Sequence, residues 1–328
     1  MSFYKDKNVL VTGGTGLIGK PLVDMLIKKG SKVRIASLDS PSRAHREAEF
    51  HRVDLTEYGN CMEVCNGIDY VFNLVGIKCS PKTVQERPAT IFNNLILFDT
   101  NMMRAAHSCG VERYLYTSTT GVYGPAEVFV EDDVWKTFPS EKDWQGGWAK
   151  RMGEVQAEAY ELEHGWDKIA IVRPANVYGP HDNFDSNAMV VPSLIKRAFD
   201  GEDPFTVWGD GAQIRDFIYS KDVARGMMMA LENCQGPFKP LNLGSGKEHT
   251  IKELVEIITG NLDPKPEVIW DTSKPSGDRK RLMDISRAES LLRWKPQYTL
   301  KEGIEETMEW YKNNNDVSGG RFDYFNTD

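Results

Sequence analysis

The sequence predicts an α/β fold, a doubly wound parallel sheet carrying a smaller, irregular carboxyl-terminal subdomain. Three observations carry that expectation. From Asn8 to about Ala175, short β-branched runs alternate with amphipathic stretches, the rhythm of a parallel sheet covered by helices on both faces. A glycine-rich turn lies directly between the first strand and the first helix. Beyond Pro174 the alternation gives way to loops rich in Gly, Pro, Asn and Asp, which puts irregular structure over the carboxyl edge of the sheet, where open α/β sheets bind ligands.

Taken in order, Asn8-Val-Leu-Val-Thr12 reads as a buried strand, Leu17 to Lys28 as a helix and Lys32 to Ala36 as a second strand. Further strands are expected at Tyr70 to Leu74, Arg113 to Thr117 and Lys168 to Val172, with helices near Pro88 to Ser108 and Trp148 to Glu163. In the carboxyl third, helices are expected at Val191 to Phe199, Thr250 to Asn261, Ser286 to Leu292 and Leu300 to Asn313, while Ile214 to Leu231 returns to the sheet. The implied division is 1–174 with 214–232 for the sheet domain, 175–213 with 233–313 for the second subdomain, and 314–328 for a loose polar tail.

Bulk properties narrow the function. A chain of 328 residues that is 40% hydrophobic can bury a large core without covalent staples. Its five cysteines are odd in number, and only Cys61 and Cys65 lie close, one helical turn apart. Neither a disulfide framework nor a metal site is expected from that spacing. With no leader-like start and no apolar run long enough for a bilayer, a cytoplasmic protein without a membrane partner is expected. The net charge of -8, with basic residues scattered among acidic ones, argues against nucleic acid as a partner.

The chemistry is concentrated in a few segments. In Thr12-Gly13-Gly14-Thr15-Gly16-Leu17-Ile18-Gly19, Gly13 permits a tight turn, Gly16 lets the backbone approach a pyrophosphate, and Gly19 lets helix and strand pack closely, with helix N–H groups aimed at the anion. The position that separates NAD from NADP, at the end of the second strand, falls on Ser37. Ser37 with Arg43 suits a 2'-phosphate and points to NADP, whereas Asp39 is the acid that would accept a ribose hydroxyl of NAD.

The glycine spacing, the segment Thr117-Ser118-Thr119-Thr120-Gly121-Val122-Tyr123-Gly124, and the run Arg173-Pro174-Ala175-Asn176-Val177-Tyr178-Gly179-Pro180-His181-Asp182-Asn183-Phe184 together resemble the extended short-chain dehydrogenase/reductases. Within them the chain is similar to the NAD-dependent epimerase/dehydratase family that modifies nucleotide sugars, with GDP-fucose synthase-like members nearest. The resemblance spans residues 8 to about 312 and implies a Rossmann-type fold. It implies that Asp54 and Leu55 contact adenine, that Leu74, Val75 and Gly76 flank the cofactor ribose, and that Pro174 and Val177 line the nicotinamide. It places Ser118, Thr119 and Asn176 against the substrate, with the Thr119 hydroxyl on the oxygen of the reacting carbon. Arg215, in Arg215-Asp216-Phe217-Ile218-Tyr219, and Arg279 or Arg281, after Lys274-Pro275-Ser276-Gly277-Asp278, would grip the diphosphate, whose geometry a guanidinium fork matches.

The family's catalytic pair is a tyrosine and, one helical turn later, a lysine that lowers its pKa. Lys150, in Trp148-Ala149-Lys150-Arg151-Met152-Gly153, matches the lysine, and Gly146 stands where the tyrosine belongs. No tyrosine lies between Tyr123 and Tyr160, so a shift of register does not restore it. Thr119, Tyr123, Lys78, Cys79 and His181 are the candidate replacements by motif position, with a bound water in the tyrosine's place as the other way to supply the proton. The cysteine and histidine that epimerise beside a ketone in GDP-fucose synthase fall on Gly121 and Met189, and the dehydratase Asp-Glu pair on Thr120 and Gly121. What is left is hydride exchange at one carbon, by a keto-sugar reductase or an epimerase. The alternative is a catalytically impaired protein that still binds NAD(P) and a nucleotide sugar. The helices Pro88 to Ser108 and Trp148 to Glu163 carry apolar residues beyond one stripe, and the resemblance implies a homodimer formed through them.

Overall fold

Seven parallel strands form the central sheet of the computed structural model, which describes residues 2–78, 80–185, 187–274, 277–314 and 319–325. They are β1 (Asn8–Thr12), β2 (Lys32–Ser37), β3 (Glu49–Arg52), β4 (Tyr70–Asn73), β5 (Arg113–Thr117), β6 (Ile169–Pro174) and β7 (Leu241–Leu243). Their order is β7-β6-β5-β4-β1-β2-β3, so the chain winds outward from the middle in both directions. The direction reverses between β1 and β4, and a crevice opens there at the carboxyl ends of the strands.

Alternation within each strand divides the core. Val9 and Val11 face one apolar cluster and Leu10 the other, as the two-residue strand period requires. Helices α1 (Gly19–Lys28) and α5 (Ser220–Glu232) cover the first cluster; α2 (Tyr58–Cys65), α3 (Pro88–Ser108) and α4 (Trp144–His164) cover the second. A third cluster, including Phe184, Ile195, Phe205, Ile258 and Ile304, forms the core of the carboxyl part.

Three departures from expectation matter for the site. Ile214–Arg215 does not rejoin the main sheet. It pairs with His249–Thr250 and Lys280–Met283 in a separate four-stranded sheet, and Phe217–Tyr219 pairs with Asn176–Tyr178. Of that region only α5 returns, packing on α1. The seventh strand is instead Leu241–Leu243, three residues between Pro240 and Gly244, too short to show a period. Finally, residues 319–325 of the expected loose tail are packed: Ser40 N–H donates to Gly320 O at 2.6 Å, and the Tyr324 ring meets Phe98 edge-on at 5.8 Å. The sequence carries no periodic signal there because the contacts run through the backbone, the Arg321 guanidinium and the rings of Phe322, Tyr324 and Phe325, not through an amphipathic stripe. No helix among the described residues is long and apolar enough to cross a membrane.

Candidate active site

A cavity of about 830 Å³ occupies the crevice. Its floor is the glycine loop. Gly13 takes a φ of +64°, a left-handed conformation open to glycine. A Cβ on Gly19 would stand 2.2 Å from Gly13 O, so the start of α1 can lie against the loop only without a side chain there. No side chain caps α1 and its first turn carries no acid, which leaves its N–H groups and positive dipole end open to an anion. These residues fit a dinucleotide pyrophosphate.

The structure brings Gly13, Thr15, Gly16, Leu17, Ile18, Gly19, Ser37, Asp39, Leu55, Leu74, Val75, Gly76, Ser118, Thr119, Lys150, Pro174, Asn176 and Val177 to this one cavity. At its β2 side Thr15 Oγ1 lies 2.9 Å from Ser37 Oγ and donates to Asp39 Oδ2 at 2.7 Å. Four of the expected site residues lie off it. The Asp54 carboxylate accepts from Thr56 N–H and Oγ1, both at 2.8 Å, and lines a smaller neighbouring pocket with Phe322 and Tyr324. Arg43 stands behind Asp39, with Nε 3.6 Å from Oδ2, and donates to Gly319 O. Arg215 donates to the carbonyls of Ile214 and Asp278, both at 2.8 Å. Arg279 is exposed; the next arginine, Arg281, reaches the cavity wall instead by pairing with Asp143 at 2.9 Å.

Lys150 is held from behind. Its ammonium donates to Asp99 Oδ2 at 3.0 Å, and both side chains are nearly buried. Asp99 also accepts from Tyr116 OH at 2.8 Å and Asn73 Nδ2 at 3.2 Å; Asn73 Oδ1 accepts from Thr12 Oγ1, which itself accepts from the N–H groups of Leu74 and Val75. The chain of bonds ties the lysine to the strand end that launches the glycine loop. Burial pushes the Asp99 carboxyl above its ordinary range, against the pull of Lys150, Tyr116 and Asn73. Sequence reasoning missed Asp99. Its signal is an acid on the buried stripe of α3, one turn after Leu95 and three residues before Met102.

Of the candidate proton donors, Thr119 and Lys78 line the cavity, and Cys79 lies outside the described residues. Lys78 is committed to Asp182, 2.7 Å away, and to Val177 O. Tyr123 is buried elsewhere: its OH donates to Asn242 Oδ1 at 2.6 Å and accepts from Arg173, and burial pushes its pKa up. His181 is pushed down to about 3 by burial and by Lys20, Arg43 and Arg321, so at neutral pH it is the neutral imidazole and not the acidic imidazolium. Ser118 reaches the cavity but spends its hydroxyl on Glu154 Oε1 at 2.5 Å. Glu154 is in turn paired with the fully buried Arg173 at 2.6 and 2.9 Å. Ser118 and Tyr123 are thus parts of a structural network, a distinction that a Ser/Thr/Tyr run cannot reveal.

Three glycines lie near Lys150 on α4, and they differ. A Cβ on Gly147 would stand 2.2 Å from Gly121 O, and one on Gly153 2.2 Å from the Tyr116 OH. Those two are required by the close approach of the helix to the end of β5. Gly146 lines the cavity, and a Cβ there would meet nothing within 4 Å.

Comparisons with known proteins agree with this geometry. The profile of the NAD dependent epimerase/dehydratase family matches residues 9–244. A putative GDP-L-fucose synthase 2 of Arabidopsis thaliana is 30% identical over 319 residues, covering 94% of this chain and 93% of its own. Among solved structures, an epimerase from Methanothermobacter thermautotrophicus superposes with a TM-score of 0.85 at 27% identity, covering 95% of this chain and 94% of its own. The UDP-glucose 4-epimerase of Thermus thermophilus in complex with NAD gives 0.79 at 26%, covering 93% and 99%.

Proposed function

The chain belongs to the NAD dependent epimerase/dehydratase family, and from that premise we propose that it exchanges a hydride at one carbon of a nucleotide-linked sugar, as an NAD(P)-dependent epimerase or keto-sugar reductase. The observation that supports this most is the convergence of the glycine loop, Thr119, Gly146 and Lys150 on one cavity. A nicotinamide bound there would take up or supply the hydride. Thr119 hydrogen-bonds the oxygen of the reacting carbon, and Lys150, kept in place by Asp99, orients the nicotinamide ribose and carries the proton to or from that oxygen. Gly121 and Met189, also on the cavity wall, offer no acid or base for inverting a centre beside a ketone, which confines the chemistry to the oxidised carbon. A panel of UDP-, GDP- and dTDP-sugars with NAD and NADP tests the reading. Neither a nicotinamide absorbance change nor an altered sugar with any of them would refute it. A second reading, ligand binding without turnover, draws on the clamp that Asp99 places on the only lysine of the motif.

The diphosphate end is assigned to Arg215 and Arg281. They are register partners on adjacent strands, and burial together with Arg281 pulls the pKa of Arg215 down. Two crowded guanidiniums are a cost that a diphosphate would relieve. Arg215→Ala is expected to raise the KM for the nucleotide sugar about 10- to 100-fold, the loss of one or two charge-assisted bonds, with coenzyme affinity unchanged. An equal loss for coenzyme would place Arg215 in the wrong half of the site.

We propose a homodimer through α3 and α4. These helices pack on each other and leave Leu97, Met152, Val155 and Leu162 exposed, an apolar surface that a second copy would cover. Sedimentation should show a dimer at micromolar concentration, and a single monomer species would reject it.

A further inference from the structure

Residues 319–325 bridge the two walls of the crevice. On the β2 side, Arg43 donates to Gly319 O at 2.9 Å, Ser40 N–H to Gly320 O, and Phe322 N–H to Asp39 Oδ1 at 2.8 Å. On the opposite side, the Arg321 guanidinium donates to the carbonyls of His181 and Asp182 at 2.8 and 3.0 Å. Tyr324 then packs on Phe98, and Phe325 joins the apolar cluster around Ile91 and Leu95.

The segment roofs the crevice without filling it. Residues 321–325 line the same cavity as the glycine loop beneath them, and that cavity, at about 830 Å³, lies within the range of pockets that enclose sizeable ligands. The roof also adds charge. Arg321 lines the cavity wall, and Lys20 lies in the first turn of α1, whose start is open. Arg321 Nε is buried without a hydrogen-bond partner, a cost that an anionic oxygen would remove.

We infer that residues 319–325 form a strap that closes over a bound dinucleotide, with Arg321 as an additional phosphate ligand, and that the coenzyme is thereby kept as a resident group. This rests on reading the cavity as the dinucleotide site, and it refines that reading. In an epimerisation the hydride and the proton both return to the sugar, so no oxidant or reductant is consumed and the coenzyme need never leave. A reductase must exchange its coenzyme at each turnover. A strap pinned on both walls suits the former.

The test uses the full chain and two full-length variants, Arg321→Ala and Arg321→Ala with Tyr324→Ala, and measures release of NAD and of NADP by fluorescence and by retention through gel filtration. The unaltered chain should keep its coenzyme on the column. Release should be about 10- to 100-fold faster in the variants, the worth of one or two charge-assisted bonds. Coenzyme should also slow tryptic cleavage after Arg321. Unchanged release rates would overturn the strap while leaving the dinucleotide site standing. Tighter binding in the variants would also overturn it, because the segment would then be competing with the coenzyme. Failure of the unaltered chain to bind either coenzyme would remove the strap and the proposed function together.

Discussion

Gly146→Tyr should raise turnover by about 10²- to 10⁴-fold, the usual worth of a positioned general acid or base. The substitution is expected to fit, because a side chain at this position starts in open space on the cavity wall. It also sits one helical turn before Lys150, the spacing at which two helical side chains meet. The lysine would then act on the phenol as well as on Asp99, lowering the pKa of a group that ordinarily titrates near 10. The measurement is kcat with the best sugar nucleotide of the panel, alongside coenzyme affinity, which should stay the same. If the unaltered chain turns over nothing and the variant does, ligand binding without turnover describes the natural protein. Unchanged kcat with intact coenzyme binding would mean that the missing hydroxyl does not limit the reaction.

Arg173→Met should destabilise the fold by about 3–5 kcal/mol, the cost of leaving one member of a buried ion pair alone. Arg173 is fully buried and makes two bonds to Glu154, one to Tyr123 and one to Glu131 O. Its removal strands a carboxylate that also receives the Ser118 hydroxyl, so the end of β5 that presents Thr119 should loosen with it. The paired change Arg173→Met with Glu154→Met should cost less than the single one, because no buried charge is then left unmatched. Thermal and denaturant unfolding would decide. A loss below about 1 kcal/mol for the single change, ordinary for a surface substitution, would show that the network does not brace the site.

Wherever function rests on local backbone geometry, the sequence was enough. The turn at Gly13, the contact at Gly19 and the placement of Lys150 one turn beyond Gly146 follow from neighbours within a few residues, and their spacing is visible in a string of letters. The long helix Pro88–Ser108 was equally legible, since an apolar stripe over many turns is a strong signal. Roles that depend on which hydroxyl or guanidinium meets which distant partner were not legible. Ser118, Thr119 and Tyr123 look alike along the chain, yet they have different partners: Glu154 claims the first, Arg173 with Asn242 the third, and Thr119, on the cavity wall, accepts only from the N–H of its near neighbour Gly121 at 3.3 Å among the described residues. Asp54 and Arg279 matched motifs and still lie off the main cavity, Arg281 was left as the alternative to Arg279 and is the one that pairs with the cavity wall, and Asp99, Asp143 and Arg321 matched no motif yet stand at the cavity or behind it.

By itself, then, the chain determined the parallel sheet, the glycine turn between its first strand and first helix, and a glycine one helical turn before Lys150, because each is written in residues close in sequence. Only the tertiary structure decided that Lys150 faces a buried acid from α3 and that residues 321–325 come back over the cavity of the glycine loop. Both are meetings of segments far apart along the chain, brought together by the burial of apolar clusters, and no periodicity or spacing encodes which side chains will be neighbours once that burial is complete.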